Sequence, residues 1–303
     1  MGKTGQRLYN RHQFMCAMGV GCVSILAAGC AHNDGHKAAA LADPADVQAF
    51  DQSFQAFDHA RSVGEIQASG TLVVGICTDA KPYGYLDIIG NYQGFEHSLA
   101  NKARWDIGAG VRYVHTDPAD VEPYLLSNKI DMAICGTAVP TDDVWQAFPF
   151  VAPRQALVVG EGTQAGGLEA LGAMSVAVCR GTYAQQYLEG LGVGEVQAYD
   201  SYTGACQALL GKAASALCCD QFVARSFVLA NPGHVVALDD LGEACPSGIM
   251  VAAGNDDLLA WANHETYMLV NDGYVKGMYD KHVVPELVGT DYSHTLLPVE
   301  QDV

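Results

Sequence analysis

A short loop in the first third of the chain holds several side chains that can bind a small molecule. It follows residues 72–77, LVVGIC, an apolar and β-branched run that is typical of a strand covered on both faces. Open α/β sheets bind their ligands at the carboxyl ends of such strands. The groups with binding chemistry in this loop are Asp79, Lys81, Tyr83 and Tyr85. The loop therefore predicts one wall of a binding cleft.

A second pair of segments predicts the opposite wall. Gly181 and Thr182 form a tight turn between a predicted strand at 175–179 and a predicted helix, whose free N–H groups favour an anion. Asp220 follows a predicted strand at 216–219, where its carboxylate can pair with a cation. A simpler role remains open for each, because Thr182 can cap the helix and Asp220 can be a solvated loop acid.

Strands and helices alternate along the chain and position these loops. The pattern predicts a loop with a short helix at 136–153 and one long helix at 258–278. Predicted strands lie at residues 72–77, 111–115, 131–135, 156–159, 175–179, 197–200, 216–219 and 249–253. Strands that alternate with helices predict right-handed crossovers and parallel pairing. The strand-loop-helix order restarts near residue 175, so the second half parallels the first.

This order predicts an α/β fold class with two similar lobes, each a mostly parallel sheet flanked by helices. We expect lobe 1 to comprise residues 62–156 plus 249–303 and lobe 2 to comprise residues 157–248. Two crossover strands join the lobes, near 154–159 and 247–253. Two connections of this kind make a hinge, and a hinge between lobes makes a clamp that closes on its ligand.

The amino terminus has the pattern of an export signal. Three basic residues precede an apolar stretch at 14–26, and small residues lead to Cys30. This ending resembles the lipobox of bacterial lipoproteins, which predicts a signal peptide at 1–29 and a lipid on Cys30. Residues 30–61 are then a tether and an amphipathic helix. A buried first helix is the alternative to the signal, and the absence of any acidic residue before Asp34 argues against it.

The composition excludes some classes of partner and leaves the cysteines open. The formal charge is −18, so the protein is too acidic for nucleic-acid binding, which needs clustered Lys and Arg. Seven cysteines remain beyond Cys30, and two of them, Cys77 and Cys135, end strands that are expected to be neighbours. They form either a disulfide or a pair of free thiols. No metal-ligand spacing of Cys and His occurs, so no metal site and no cofactor are expected.

Seven sequence segments in order resemble the family 3 extracellular solute-binding proteins, the amino-acid-type receptors of ABC importers. The resemblance covers residues 62–284 and implies the type II periplasmic binding fold. The segments are Gly70-x-Leu72-x-Val74-Gly75 with Asp79 and Pro82, Gly90-(x)3-Gly94-Phe95-Glu96-(x)2-Leu99-Ala100, Ser127-x-Lys129-Ile130-Asp131, Phe150-x-x-Pro153, Gly181-Thr182, Cys219-Asp220 and Asn271-Asp272-Gly273.

The resemblance implies a ligand site and also shows a departure from it. In the family, an Arg in a T-x-x-R segment and the Gly-Thr turn hold the ligand carboxylate, and the acid matching Asp220 holds the ammonium. Here Thr141-Asp142-Asp143-Val144 stands in place of T-x-x-R, so the guanidinium fork is missing. Either Lys81, Arg154 or Arg180 replaces it, or the ligand is cationic or neutral rather than an ordinary α-amino acid.

The remaining expected ligand residues are Thr137, beside this segment, and the aromatics Tyr83, Tyr85 and Tyr183, which can enclose an aromatic or quaternary ammonium group.

The predicted function is capture of a small solute between the lobes and its delivery to the permease of an ABC importer. The protein is then a monomer held by its lipid on the outer face of the bacterial cytoplasmic membrane. Neither the nucleophile motif G-x-S-x-G nor the metalloprotease motif H-E-x-x-H occurs, so an enzyme is not expected. The alternative is a dehydratase or lyase on the same fold that uses Asp79 or Asp220 as general acid or base.

Overall fold

A computed structural model describes residues 56–299 except residues 164, 193 and 288. The signal peptide, Cys30 and the amphipathic helix predicted from the sequence lie at or before residue 57, so they fall almost wholly outside the described residues. Within the described part of the chain, no helix is both long and apolar enough to cross a membrane.

Eight α-helices and thirteen strands are described. The helices are α1 Val63–Ser69, α2 Phe95–Ile107, α3 Val121–Leu126, α4 Tyr183–Leu191, α5 Tyr202–Leu210, α6 Gln221–Ala230, α7 Asp256–Asn271 and α8 Tyr274–His282. The strands are β1 Thr71–Ile76, β2 Asp79–Ala80, β3 Gly84–Leu86, β4 Tyr92–Gln93, β5 Gly110–His115, β6 Met132–Ile134, β7 Val144–Gln146, β8 Gln155–Gly160, β9 Ser175–Cys179, β10 Glu195–Tyr199, β11 Ala216–Asp220, β12 His234–Leu241 and β13 Met250–Ala252.

Two five-stranded sheets form the centres of two lobes. The sheet of lobe 1 has the order β5-β1-β6-β13-β7, and the sheet of lobe 2 has the order β10-β9-β11-β8-β12. In each sheet one strand, β13 or β8, pairs antiparallel with both of its neighbours, while the other four strands share a direction. Each reversed strand follows a crossing from the other lobe, so the chain enters the sheet from the opposite side.

Three of the differences from the sequence-based expectations concern residues 136–153, 258–278 and 234–241. The segment 136–153 contains strand β7 instead of a short helix, because Val144 and its neighbours pair with β13 at the sheet edge. The long helix expected at 258–278 is two helices, α7 and α8, because Gly273 adopts a φ of 79° that interrupts the helical backbone. Strand β12 was not expected. Its irregular register and its two acidic residues near the end hide the alternation of an edge strand.

The cores of the two lobes are continuous across their contact. One cluster of buried apolar side chains contains residues of both lobes. Phe222 of α6 lies at the centre of the contact, with its ring centroid 5.6 Å from that of Tyr83 and 5.7 Å from that of Tyr279. A smaller cluster fills the other face of the lobe 2 sheet. The lobes are therefore packed together in a closed arrangement.

A buried ion pair holds the chain that enters lobe 1. Arg61 Nε donates to Asp131 Oδ1 over 2.8 Å, and a terminal guanidinium nitrogen contacts Asp131 Oδ2. Asp131 Oδ2 also accepts from Val73 N–H of β1 over 2.7 Å. The guanidinium carbon lies 3.8 Å from the centroid of the Phe57 ring. The side chains of this pair are 7% and 1% exposed, so both charges depend on each other for compensation.

We predict that Asp131→Asn lowers the free energy of unfolding by about 3–5 kcal/mol, because it leaves the Arg61 charge buried without its partner. Urea unfolding measures the change. The control is Asp280→Asn, which breaks the exposed i,i+4 pair with Lys276 and should change stability by less than about 0.5 kcal/mol. Equal effects of the two variants would contradict this assignment.

Candidate functional site

Two hydrogen bonds cross the contact between the lobes at the predicted cleft, which we call the seam. Tyr83 Oη of lobe 1 donates to Asp220 Oδ2 of lobe 2 over 2.9 Å. Asp79 Oδ2, in the same loop as Tyr83, accepts from Thr203 N–H in the first turn of α5 over 2.7 Å. The loop after β1 thus reaches the carboxyl end of β11 and the start of α5. Residues far apart in sequence form one site because both sheets direct these ends toward the seam.

Asp220 and Glu96 place two buried carboxyl groups at this seam. Burial raises the pKa of Asp220 to about 7, although hydrogen bonds from Phe222 N–H and Tyr83 Oη oppose the rise. Burial raises the pKa of Glu96 to about 8, against a hydrogen bond from Gly136 N–H, and the nearby charge of Asp220 adds to the rise. The charge of Asp220 acts on Glu96 in this way because two negative charges cannot be held together without compensation.

The surroundings of Glu96 are rich in hydrogen-bond acceptors. Glu96 Oε2 and Ser247 Oγ are buried and have no hydrogen-bond partner among the described residues. Both side chains lie against Gly136, where an added Cβ would approach Ser247 Oγ to 2.5 Å and Glu96 Oε1 to 2.7 Å. Gly136 therefore leaves the space in which these oxygens converge. Buried oxygens without a partner favour a bound group that forms hydrogen bonds with them, and an ammonium can donate to each once the carboxyl is ionised.

The turn before α4 forms the second part of the seam. Thr182 caps α4 by accepting from Gln185 N–H over 3.4 Å, and its hydroxyl donates to the Cys179 carbonyl over 2.7 Å. Tyr183 N–H donates to the Thr137 carbonyl of lobe 1 over 3.4 Å. The amino terminus of α4 was predicted to hold an anion. In the structure, two of its N–H groups instead donate to the Thr182 cap and to Thr137 of the opposite lobe.

Gly181 permits this close approach. Its φ is 76°, and an added Cβ would lie 2.6 Å from the backbone of Ala119 in lobe 1. Val139 N–H of lobe 1 also donates to the Gly181 carbonyl over 3.2 Å.

An open groove of about 360 Å³ lies along this part of the seam. Val144, which stands where the carboxylate-binding Arg was expected, lines the groove together with Thr141, Gly181 and Thr182. The full lining consists of Pro118, Ala119, Val121, Glu122, Pro123, Val139, Thr141, Val144, Gly181, Thr182, Gln185, Gln186 and Glu189. Two of these are acids, and none of the described residues of the lining is Lys or Arg. The groove therefore offers no charged partner to a carboxylate.

The three cations considered as substitutes for the missing Arg are engaged elsewhere. Lys81 Nζ lies 3.0 Å from Glu286 and 5.4 Å from the centroid of the Tyr85 ring. Arg154 donates to the Gly242 carbonyl over 2.6 Å.

Arg180 pairs with Asp200 over 2.9 Å on the exposed surface. These three side chains and Tyr85 are thus not part of the groove lining, whereas Asp79, Tyr83, Thr137 and Asp220 meet at the seam. Tyr183 contributes its N–H to the seam and its hydroxyl to the Pro246 carbonyl over 3.4 Å.

Glu96 and Ser247 were not expected as site residues. A signal for Glu96 exists in the sequence, because Leu99, Ala103 and Ile107 lie on the same buried stripe of α2. An acid on an apolar stripe needs a partner or a function. Ser247 carries no such signal, since only the tertiary fold brings the crossing segment beside Gly136.

The comparisons with known proteins agree with this architecture. Residues 72–285 match the model of the bacterial extracellular solute-binding proteins, family 3. The chain belongs to this family. The match includes both sides of the seam, and the family consists of extracytoplasmic solute-binding proteins. No curated protein matches this solute-binding protein.

Solved structures confirm the two-lobed α/β fold. A solute receptor for L-cysteine from Neisseria gonorrhoeae is 27% identical with a TM-score of 0.74, covering 79% of this chain and 100% of the receptor. The arginine-binding protein of T. maritima is 28% identical with a TM-score of 0.65, covering 72% of this chain and 98% of that one. An ancestral amino acid-binding protein, a precursor of cyclohexadienyl dehydratase, is 26% identical with a TM-score of 0.67, covering 73% and 99%.

The raised pKa values predict that stability falls as pH rises. Between about pH 5 and 8 the folded protein keeps a proton on Glu96, whose pKa is about 8, while the unfolded chain has released it. The free energy of unfolding should then fall by about 1 kcal/mol per pH unit from this group. Glu96→Gln removes the titrating proton and should flatten the pH dependence.

Urea unfolding at several pH values between 5 and 8 measures this slope. Asp220, with its lower pKa, contributes mainly below pH 7 and remains in the variant. The control is Glu161→Gln, which changes an exposed side chain. It should keep the pH dependence of stability seen for the unaltered protein. A Glu96→Gln variant with the same slope would show that Glu96 is not buried at the seam in solution.

Proposed function

We propose that this protein captures a small amino-acid-like solute with a cationic amine between its two lobes and delivers it to an ABC importer. The observation that carries the proposal is the acidic character of the seam. Asp220 and Glu96 are buried there, and the adjoining groove has two acids and no Lys or Arg among its described lining residues. A cation bound at the seam compensates the negative charges of the Asp220 and Glu96 carboxylates, which otherwise stay protonated.

The donors and acceptors at the seam support an ammonium as the bound group. Asp220 accepts hydrogen bonds from Tyr83 Oη and Phe222 N–H, and Glu96 accepts one from Gly136 N–H. Glu96 Oε2 and Ser247 Oγ remain without donors. An ammonium brings three donors and a positive charge, so it satisfies these oxygens and lowers the pKa of both carboxyl groups.

The other end of the ligand meets a different environment. Val144 cannot form the bidentate contact that a guanidinium makes with a carboxylate. The groove beside it contains Thr141, Thr182 and Gln185, which offer neutral hydrogen bonds. We infer that the ligand end in this groove is neutral or is held only by hydrogen bonds. Cysteine and arginine, which the names of two similar proteins mention, are the first solutes to test.

Release and capture require the lobes to separate. The bonds between Tyr83 and Asp220 and between Asp79 and Thr203 N–H cross the seam, so opening breaks them. The crossings between β7 and β8 and between β12 and β13 provide the hinge. A ligand that replaces these contacts with stronger ones shifts the population toward the closed state.

The site of action proposed for this chain is the outer face of the bacterial cytoplasmic membrane. The support is the signal pattern that ends at Cys30 and the extracellular character of the family. A lipid on Cys30 would hold a monomer beside the permease to which it delivers solute.

The test is a thermal-shift screen followed by titration calorimetry. Amino acids, including cysteine and arginine, polyamines, betaines and aromatic amines form the panel, and a bound solute raises the melting temperature. We predict that Asp220→Asn lowers the affinity for the best amine by about 30-fold or more, the loss expected for one partner of a buried charged contact.

The control for this test is Asp280→Asn, which removes an equal charge from the exposed surface of α8 and should keep the affinity. Unchanged affinity in Asp220→Asn would remove Asp220 from the solute site. Preference for anionic solutes over amines would reject the cationic ligand.

A second function is favoured by one observation, the two buried carboxyl groups with pKa values of about 7 and 8. A protonated carboxyl in a closed cleft can act as a general acid, which a dehydratase or lyase needs. One similar protein is a precursor of a cyclohexadienyl dehydratase. Incubation of the best solute with the protein in catalytic amounts separates the functions, since turnover would reject simple capture and stoichiometric recovery of the solute supports it.

A further inference from the structure

The segment that follows α8 links the two lobes in addition to the two crossings. α8 packs on α2 and α7 of lobe 1. Residues 284–297 continue from it, and all of them except residue 288 are described. Near the end of the segment, Ala152 N–H donates to the Thr295 carbonyl over 2.8 Å. Leu297 N–H donates to the Phe150 carbonyl over 3.1 Å. The main chain of the segment is therefore held by lobe 1 at one end and by the crossing between β7 and β8 at the other.

Glu286, early in this segment, contacts both lobes with one carboxylate. Its Oε1 lies 3.0 Å from Nζ of Lys81, which is in the loop of lobe 1 that follows β2. Its Oε2 accepts from Ser226 Oγ of α6, in lobe 2, over 3.0 Å. The Glu286 side chain is largely buried, and hydrogen bonds are stronger where water is excluded. This side chain thus joins the lobes directly.

Tyr292, later in the segment, makes a second contact with lobe 2. The residue is buried, and its hydroxyl donates to Asp239 Oδ2 of β12. The same hydroxyl accepts from Arg225 Nε of α6 over 3.0 Å. Arg225 also donates to Asp239 Oδ2, so the three side chains close a ring of hydrogen bonds. Two of the three groups are charged, which makes these bonds stronger than neutral ones.

The contacts of Tyr292 reach the part of α6 that forms the solute seam. The ring centroid of Phe222 lies 6.0 Å from that of Tyr292 and 5.6 Å from that of Tyr83. Gln221 Nε2, one residue after Asp220, donates to Asp239 Oδ1 over 2.8 Å. When the lobes separate, α6 and β12 move away from lobe 1. The side-chain contacts of the segment with lobe 2 must then break.

We propose that residues 284–297 are a strap that holds the lobes closed in the absence of solute. The main chain of the strap stays with lobe 1 and the crossing, while Glu286 and Tyr292 release lobe 2 on opening. A solute enters only through the open state, so the strap lowers the population that can accept it and slows association. This action does not depend on the identity of the solute or on the proposed function.

The test is hydrogen exchange of the full purified chain without solute, followed by NMR at single amides. Thr203 N–H and Val139 N–H donate across the seam, so they exchange when the lobes separate. Tyr292→Phe removes the hydroxyl and keeps the ring. We expect both amides to exchange about 10-fold faster or more in this variant, because the lost hydroxyl bonds join charged groups. Ser226→Ala, which removes the other contact with lobe 2, should act in the same direction.

The matched control is Tyr267→Phe, the same change on α7, which packs on α8, α1 and β13 of lobe 1. It should leave the exchange of both seam amides unchanged. Val74 N–H, in the middle of β1, exchanges through global unfolding and reports any general loss of stability.

Three results would overturn the proposal. In the first, the seam amides of Tyr292→Phe keep the rates of the unaltered chain, whether or not Val74 N–H exchanges faster. In the second, Tyr267→Phe accelerates the seam amides as much as Tyr292→Phe does. In the third, Thr203 N–H of the unaltered chain exchanges as fast as an unprotected amide, which would show that the lobes are open without solute. The third measurement does not depend on the folding of any variant.

Discussion

The hydrogen bond between Tyr83 and Asp220 joins the two lobes through two buried side chains at their contact. Tyr83 is held by the loop after β1, and Asp220 ends β11 and caps α6. Because both are buried, the bond is protected from water, and its loss would leave an uncompensated acid in the interior. The packing of Phe222 against the Tyr83 ring adds apolar contact to the same place. The closed arrangement thus combines this buried polar bond with apolar contact and with the hydrogen bond between Asp79 and Thr203 N–H.

The same seam contains two buried acids without a compensating cation among the described residues. Ligand binding explains this arrangement better than stability does. Burial raises the pKa of both Glu96 and Asp220, and the charge of Asp220 raises the pKa of Glu96 further. No described cation is among the causes that act on either group. A structure selected for stability alone would place apolar side chains or an Arg there. The described lining of the groove also lacks a positive charge, because Val144 stands where an Arg was expected to bind a carboxylate. The missing positive charge is consistent with a ligand that supplies it.

Parallel strands concentrate chemical groups at one edge because their carboxyl ends coincide. Cys77 follows β1 and Cys135 follows β6, and the next residues of these loops carry Asp79 and the backbone around Gly136. The two thiols and the solute seam are therefore neighbours for a topological reason. Asp79 contacts both, because Cys77 Sγ donates to its Oδ1 and Thr203 N–H of lobe 2 donates to its Oδ2.

The sequence by itself determined the fold class and most strands of the two large sheets, because hydrophobic periodicity and turn residues are local signals. It also identified the absence of an Arg near Val144. Only the tertiary structure decided that Lys81 and Arg180 pair with acids away from the groove, since partners far along the chain leave no local pattern. The same holds for Glu96 and for the convergence of Asp117 with Cys77, where sheet topology, not spacing in the chain, brings the groups together.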